Sequence, residues 1–345
     1  MSRHAARFSV LAAVALAPFA AGCADRPSTT TADASTTTAS TGAATPATEP
    51  GTASTGAASQ PKAGTTVVPS YADADRAFHR GNYEEAVSMF EAYTASEPDN
   101  AWGQYMLGLS AWKTGNHARA LEGFDAALRL EPNHRKSLFN SARVLLEMGR
   151  PEQANERIEQ ALAIEPLSGE GLRLLGRARH ELGRIPEAID AYQRAIALDD
   201  RDVWAMNNLG FIYVQLGRSD DALLPLARAV ELRSNVPVFQ NNFGTALERS
   251  GHFVEAKQAY EAALQADSTY AKAAVGLERV TVHGAVSDSS TVDVATLSAE
   301  FQREIEGWRA AAVVDSSAVD SAATVDPTAT VDSAATGMAR DSATQ

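Results

Sequence analysis

The feature that most constrains this chain is a period of 34 residues, kept without insertion or deletion. Gly81, Gly115, Gly149, Gly183, Gly217 and Gly251 recur at that interval. So do Ala86, Ala120, Ala154, Ala188, Ala222 and Ala256. Four positions further on come the large residues Phe90, Phe124, Ile158, Tyr192, Leu226 and Tyr260. Pro98, Pro132 and Pro166 share the period, and Asp200, Ser234 and Ser268 stand in their place later. Leu107, Ser141, Leu175, Leu209 and Phe243 form another series, each followed by Gly or Ala. Agreement of this kind means one supersecondary unit stacked on copies of itself, each burying a face that it cannot bury alone.

The series have a physical reading as paired helices. A Gly between two helices supplies the left-handed residue that ends the first. Gly108, Gly176, Gly210 and Gly244 carry no side chain, so the two helices of a unit can approach closely. The Ala series permits close packing, and the large residue four positions on fills the space between neighbours. Pro at the end of the unit stops the second helix.

The pattern resembles the tetratricopeptide family, in which 34 residues form two antiparallel helices. The resemblance covers six repeats, near 67–100, 101–134, 135–168, 169–202, 203–236 and 237–270. It implies an all-α fold, a right-handed α-solenoid. Residues 271–283 begin a seventh repeat that is not completed, and are expected to cap the sixth. Val294, Leu297, Phe301, Ile305 and Trp308 recur at intervals of three and four, which predicts an amphipathic helix over 294–311. It is expected to dock on the last repeat. Two departures bear on the helices. The first repeat has Asp73-Ala74 where the Leu-Gly pair belongs, which predicts a frayed first helix, and Pro225 inside a second helix predicts a bend.

The ends read differently. Arg3, His4 and Arg7 precede the apolar run Phe8–Ala21, fourteen residues that are too few to cross a bilayer core. Residues 1–22 therefore read as an export signal. Cys23, the chain's one cysteine, follows Ala20-Ala21-Gly22. This resembles a bacterial lipoprotein signal, with Ala20 where that pattern usually has Leu. The resemblance implies lipidation of Cys23 and an anchor in a bacterial envelope membrane, facing the periplasm or exterior. The alternative is an ordinary secretory signal. Residues 23–66, rich in Ser, Thr, Ala and Pro, are expected to be a disordered tether, and 312–345, with repeated Val-Asp units, a disordered tail.

Formal charge argues against nucleic acid. The chain carries −13, and residues 67–283 hold 30 acids against 23 bases, whereas phosphate binding needs a basic face.

In the tetratricopeptide family the first helix of each repeat lines a concave groove. Carried over by position, the second repeat contributes Trp102, Tyr105 and Trp112. The third and fourth contribute Lys136, Asn140, Arg143, Arg173 and Arg177. The fifth and sixth contribute Trp204, Asn207, Asn208, Phe211, Asn241 and Asn242. Aromatic residues thus gather towards the N-terminal end, where exposure to a ligand competes with core packing. Bases gather in the middle, reading either as a site for a carboxylate-bearing partner or as a solvated face paired with Glu147, Glu170 or Glu181. Asn140, Asn208 and Asn242 share one position, and Asn207 and Asn241 the adjacent one. They resemble the asparagine ladder with which some members hold an extended peptide backbone; the alternative is local hydrogen bonding between repeats. The Lys/Asn/Asn/Lys/Arg carboxylate grip of co-chaperone members is not met in any three consecutive repeats.

No Gly-rich phosphate loop, paired metal-ligating His or Cys pair is present, and the histidines are isolated along the chain. No enzyme, cofactor or metal is expected. The expected function is a protein-interaction scaffold: an adaptor holding an extended segment of a partner protein, in pilus or secretion assembly or in envelope maintenance. A self-associating structural array of the cell envelope is the alternative.

Overall fold

A computed structural model describes residues 68–283 and 291–323; side chains are described as far as Ala311, His283 excepted. The expected signal 1–22, Cys23 and the whole tether to 66, and the tail beyond 323, lie outside these residues. All regular structure among the described residues is helical. Two compact bodies divide between Pro166 and Leu167, and each holds three repeats.

In the first body the helix pairs are α1 (Tyr71–His79) with α2 (Tyr83–Ser96), α3 (Ala101–Lys113) with α4 (His117–Leu130), and α5 (Arg135–Glu147) with α6 (Pro151–Ile164). The first helix is short but not frayed at its start. Ser70 accepts from the Asp73 amide, and the Asp73 carboxylate accepts in return from the Ser70 amide at 3.2 Å. That capping box, absent from the expectation, fixes where α1 begins. Later first helices begin on Asn100, which accepts from Gly103 N at 2.8 Å, and on His134.

In the second body the pairs are α7 (Gly169–Glu181) with α8 (Ile185–Leu198), α9 (Val203–Gln215) with α10 (Ser219–Leu232), and α11 (Pro237–Arg249) with α12 (Phe253–Ala266). Two further helices follow, α13 (Ala271–His283) and α14 (Val294–Ala323). α10 runs without interruption through Pro225.

The periodic residues do the work their types allow. All six turn glycines have positive φ, between 68° and 87°. After each, the next amide bonds a carbonyl five residues back, as Asn116 N does to Ala111 O at 2.9 Å. Phe90, Phe124, Ile158, Tyr192, Leu226 and Tyr260 are fully buried. A Cβ on Gly176 would lie 2.8 Å from the Tyr192 ring, and one on Gly210 2.5 Å from Leu226, so small residues are required where paired helices cross.

α13 is fastened to the sixth repeat by Arg279, which bonds the Glu248 carboxylate at 2.6 Å on α11. Tyr260 on α12 donates to the same carboxylate at 2.7 Å.

α14 corrects two expectations. It runs to Ala323 instead of ending at 311; Ala310, Ala311 and Ala312, strong helix formers, carry it onward. It packs on α10 and α8, the second helices of the fifth and fourth repeats, and not on the last repeat. Phe301 and Ile305 are buried there, Arg309 donates to Ala197 O at 2.8 Å, and Ser298 bonds Glu231. The reason lies at one position of the second helices. Glu91, Asp125, Glu159 and Glu261 occupy it elsewhere, whereas α8 has Gln193 and α10 has Ala227. An apolar helix face can settle over Ala227, but on α12 it would meet the exposed Lys257 and Glu261.

Candidate protein-binding face

The first helices of neighbouring repeats touch at a spacing of 35, one more than the period. In the first body Asn140 Nδ2 donates to Tyr105 Oη at 3.1 Å, and Trp112 Nε1 to Glu147 Oε2 at 2.8 Å. In the second, Asn242 Nδ2 donates to Asn207 Oδ1 at 2.9 Å, and Arg249 to Val214 O at 2.7 Å. This stagger decides which positions remain open.

In the first body a strip of contacting side chains runs along α3 and α5. The Lys136 ammonium lies 4.9 Å from the centre of the Trp102 ring. Trp102 packs against Tyr105, with ring centres 5.1 Å apart, and against His134 at 5.3 Å. Tyr105 leads to Asn140, whose Oδ1 accepts from Arg143 at 3.1 Å. Beyond Arg143 lie Trp112 and Lys113, the ammonium 5.5 Å from the Trp112 ring centre. Burial, together with nearby Arg143, holds the Lys113 amine below its usual pKa. Burial likewise lowers the His134 imidazole, which favours its neutral form at pH 7. His134 takes part as a ring and as the cap of α5; it was not among the expected binding residues, because a His at a repeat end looks like a turn residue.

Exposure sorts the expected residues. Trp102 keeps 42% of its surface open, an unusual amount for an indole beside a packed core, and Lys136 is exposed. Trp112 and Arg143 are half-buried; Tyr105 and Asn140 are buried beneath the strip and support it. Neither Lys113 nor Lys136 has a carboxylate within ion-pair distance among the described residues.

The second body differs. Asn207, Asn208, Asn241 and Asn242 are all buried, between 0% and 7% exposed. Each donates or accepts within the group: Asn207 Nδ2 to Asn208 Oδ1 at 3.3 Å, and Asn241 Nδ2 to Asn242 Oδ1 at 3.3 Å, joined by the Asn242–Asn207 bond. This is the local bonding between repeats that was the alternative to a peptide-holding ladder. Arg173 bonds Asp202, the cap of α9, at 3.1 Å, and Arg177 bonds Glu181 one turn on in α7 at 2.9 Å. Trp204 stands edge-on to buried Phe239, with centres 4.9 Å apart, and Phe211 lies against His180. The bases of the two bodies therefore stand in different environments. Lys136 meets solvent over a ring, whereas Arg173 and Arg177 meet carboxylates.

Four models of the tetratricopeptide repeat match the sequence, over 71–135, 111–178, 176–217 and 203–236. Residues 71–236 thus carry tetratricopeptide repeats. No curated protein matches the chain. Among solved structures, a chain of the APC/C hetero-tetramer Cut9–Hcn1 is 18% identical, with a TM-score of 0.54, covering 60% of this chain and 41% of its own. A tetratricopeptide repeat protein from Parabacteroides merdae is 12% identical, with a TM-score of 0.50, covering 60% and 81%. MamA from Desulfovibrio magneticus RS-1 is 27% identical with a TM-score of 0.45, covering 47% and 91%. The first two likenesses show the fold.

Proposed function

We propose that the tetratricopeptide repeats of this chain form a protein-binding adaptor, tethered by lipid to a bacterial envelope membrane, whose contact face is the strip on α3 and α5. The observation that carries the binding reading is the exposed Trp102 ring under the Lys136 ammonium. An aromatic anchor with a cation beside it suits an extended protein segment bearing apolar side chains and carboxylates. The buried asparagines of the second body are already bonded to one another, so they contribute rigidity and not grip. Pilus or secretion assembly and envelope maintenance are the settings proposed for such an adaptor.

The test is capture from a membrane extract with the purified protein. Trp102→Ala with Lys136→Ala should lose the captured protein, while Trp204→Ala should retain it. Unchanged capture by the double variant overturns the reading of this face.

The anchor rests on Cys23, the lone cysteine after an apolar run of fourteen residues. No helix among the described residues is long and apolar enough to cross a membrane. Cells expressing Cys23→Ser should incorporate no palmitate analogue into this protein. Equal labelling of variant and wild type removes the anchor.

A further inference from the structure

Four first helices take their caps from residues one period apart. Asn100 caps α3, Ser168 caps α7 and Asp202 caps α9, each accepting from the amide three residues on. At the same position α5 has His134. Its Nδ1 accepts from the Ser137 amide at 3.3 Å and meets the Ser137 hydroxyl at 2.7 Å. An imidazole nitrogen accepts only while it carries no proton. This cap therefore belongs to the neutral ring, with the proton on Nε2.

The same ring is part of the strip. It stands edge-on to Trp102, with centres 5.3 Å apart, and lies 5.1 Å from Tyr105. Its Nε2 is buried without a hydrogen-bond partner. Lys136, two residues on, holds its ammonium 4.9 Å from the centre of the Trp102 ring. A proton added to His134 removes the acceptor of the Ser137 amide. It also sets a cation at the N-terminus of α5, where the backbone dipoles oppose it. And it adds a second positive charge beside Lys136.

The charged and titratable neighbours are few. Glu131, at the end of α4, favours the imidazolium, and Lys136 on α5 opposes it. Arg135 is turned to Glu165 at the end of α6, and Tyr105 on α3 accepts from the Asn140 amide. Burial is the largest influence. With Lys136 it outweighs Glu131 and holds the imidazole below its ordinary pKa.

We propose that His134 is a positioning residue of the binding face and its proton-operated release: neutral, it caps α5 and seats Trp102 beside Lys136 for a partner; protonated, it lets that end of the strip go. The proposal rests on the strip being the binding face. Its sign follows from linkage. Above about pH 6.5, the ordinary imidazole value, His134 is neutral whether the end is seated or not, and the seat is intact. Below that, the unseated arrangement takes the proton first. The seat weakens until pH has fallen through the lowered folded value, and partner affinity should fall over the same range.

The experiment uses the full chain labelled with 5-fluorotryptophan. Its four tryptophans, Trp102, Trp112, Trp204 and Trp308, give separate fluorine resonances, and Trp102→Phe assigns the one needed. In wild type the Trp102 resonance should move between about pH 7.5 and about pH 5.5, on either side of the ordinary imidazole value. In His134→Asn the amide oxygen can cap α5 as Asn100 caps α3, with no proton to gain, so the resonance should stay in place. A Trp102 resonance that does not move in wild type, or that moves equally in His134→Asn, overturns the proposal.

A second measurement reads binding. Protein captured from membrane extract at the higher pH is washed at the lower. Wild type should release about fivefold more than His134→Asn, a step of about 1 kcal/mol. Equal release, with capture still lost in Trp102→Ala with Lys136→Ala, removes the release and leaves the binding face standing. A Trp102 shift that depends on His134, with capture unaffected by that double variant, retains the titrating cap and removes the partner reading.

Discussion

Asn242 donates its side-chain amide to the carbonyl oxygen of Asn207 at 2.9 Å, and both residues are buried. They stand 35 residues apart in a chain whose period is 34. The bond therefore joins two repeats and not two equivalent positions, and it closes a chain of amides that includes Asn208 and Asn241.

The first prediction follows from that closure. Asn207→Ala removes the acceptor of Asn242 and the donor to Asn208, leaving buried polar atoms unpaired. The cost should be about 1–3 kcal/mol in urea unfolding. Asn207→Ala with Asn242→Ala should cost less than the sum of the single changes, since the two share a bond. Trp102→Ala, at an exposed site, should change stability far less than either.

Close helix crossing gives the second. A Cβ on Gly123 would lie 2.6 Å from Gly108 N, a backbone atom that cannot move aside without parting α3 from α4. Gly123→Ala should destabilise by about 1–3 kcal/mol, as overpacking does. Gly307, inside α14, has nothing within 4 Å of the added carbon. Gly307→Ala should stabilise by up to about 1 kcal/mol through helix propensity alone. Thermal unfolding of the two variants should move in opposite directions.

The third concerns the seat of α14. Phe301 and Ile305 are 1% exposed, and Phe301 meets Trp308 edge-on at 5.6 Å. Phe301→Ala should cost about 3–5 kcal/mol, the range for a fully buried ring, and shift Trp308 emission to the red. Lys257→Ala with Glu261→Ala on α12 should leave that emission unchanged, because the helix does not lie there.

The fourth is a pH dependence. Burial alone would raise the Glu248 pKa, but hydrogen bonds from Arg279 and Tyr260 outweigh it and hold the carboxyl below its ordinary value. A carboxyl depressed in the folded state contributes stability above its unfolded pKa, about 4.3, and that contribution is lost as pH falls through the folded value. Glu248→Gln should therefore be less stable than wild type at pH 7, and the gap should close as pH falls through the depressed folded value. A gap independent of pH would mean that packing, and not charge, accounts for it. The salt bridge fastens α13, so exchange of the α13 amides should follow the same pH course.

The all-helical fold, its repeats and the turn at each Gly81-type position were legible in the sequence, because each depends on contacts within one repeat. Gly108 must face Phe124 whatever lies on either side, so identical local demands print an identical interval. The seat of α14 was also written there, in Ala227 where other second helices carry a carboxylate, but only knowledge of which face was open made that signal readable. What tertiary structure alone decided is the relation between repeats. Position by position, Asn207 and Asn241 looked like a surface row, yet the stagger of 35 turns such residues towards each other and buries them. Lys136 and Trp102, one full period of 34 apart, meet in the open. Which side chains meet across that contact is a property of the pair of repeats, which no single repeat contains.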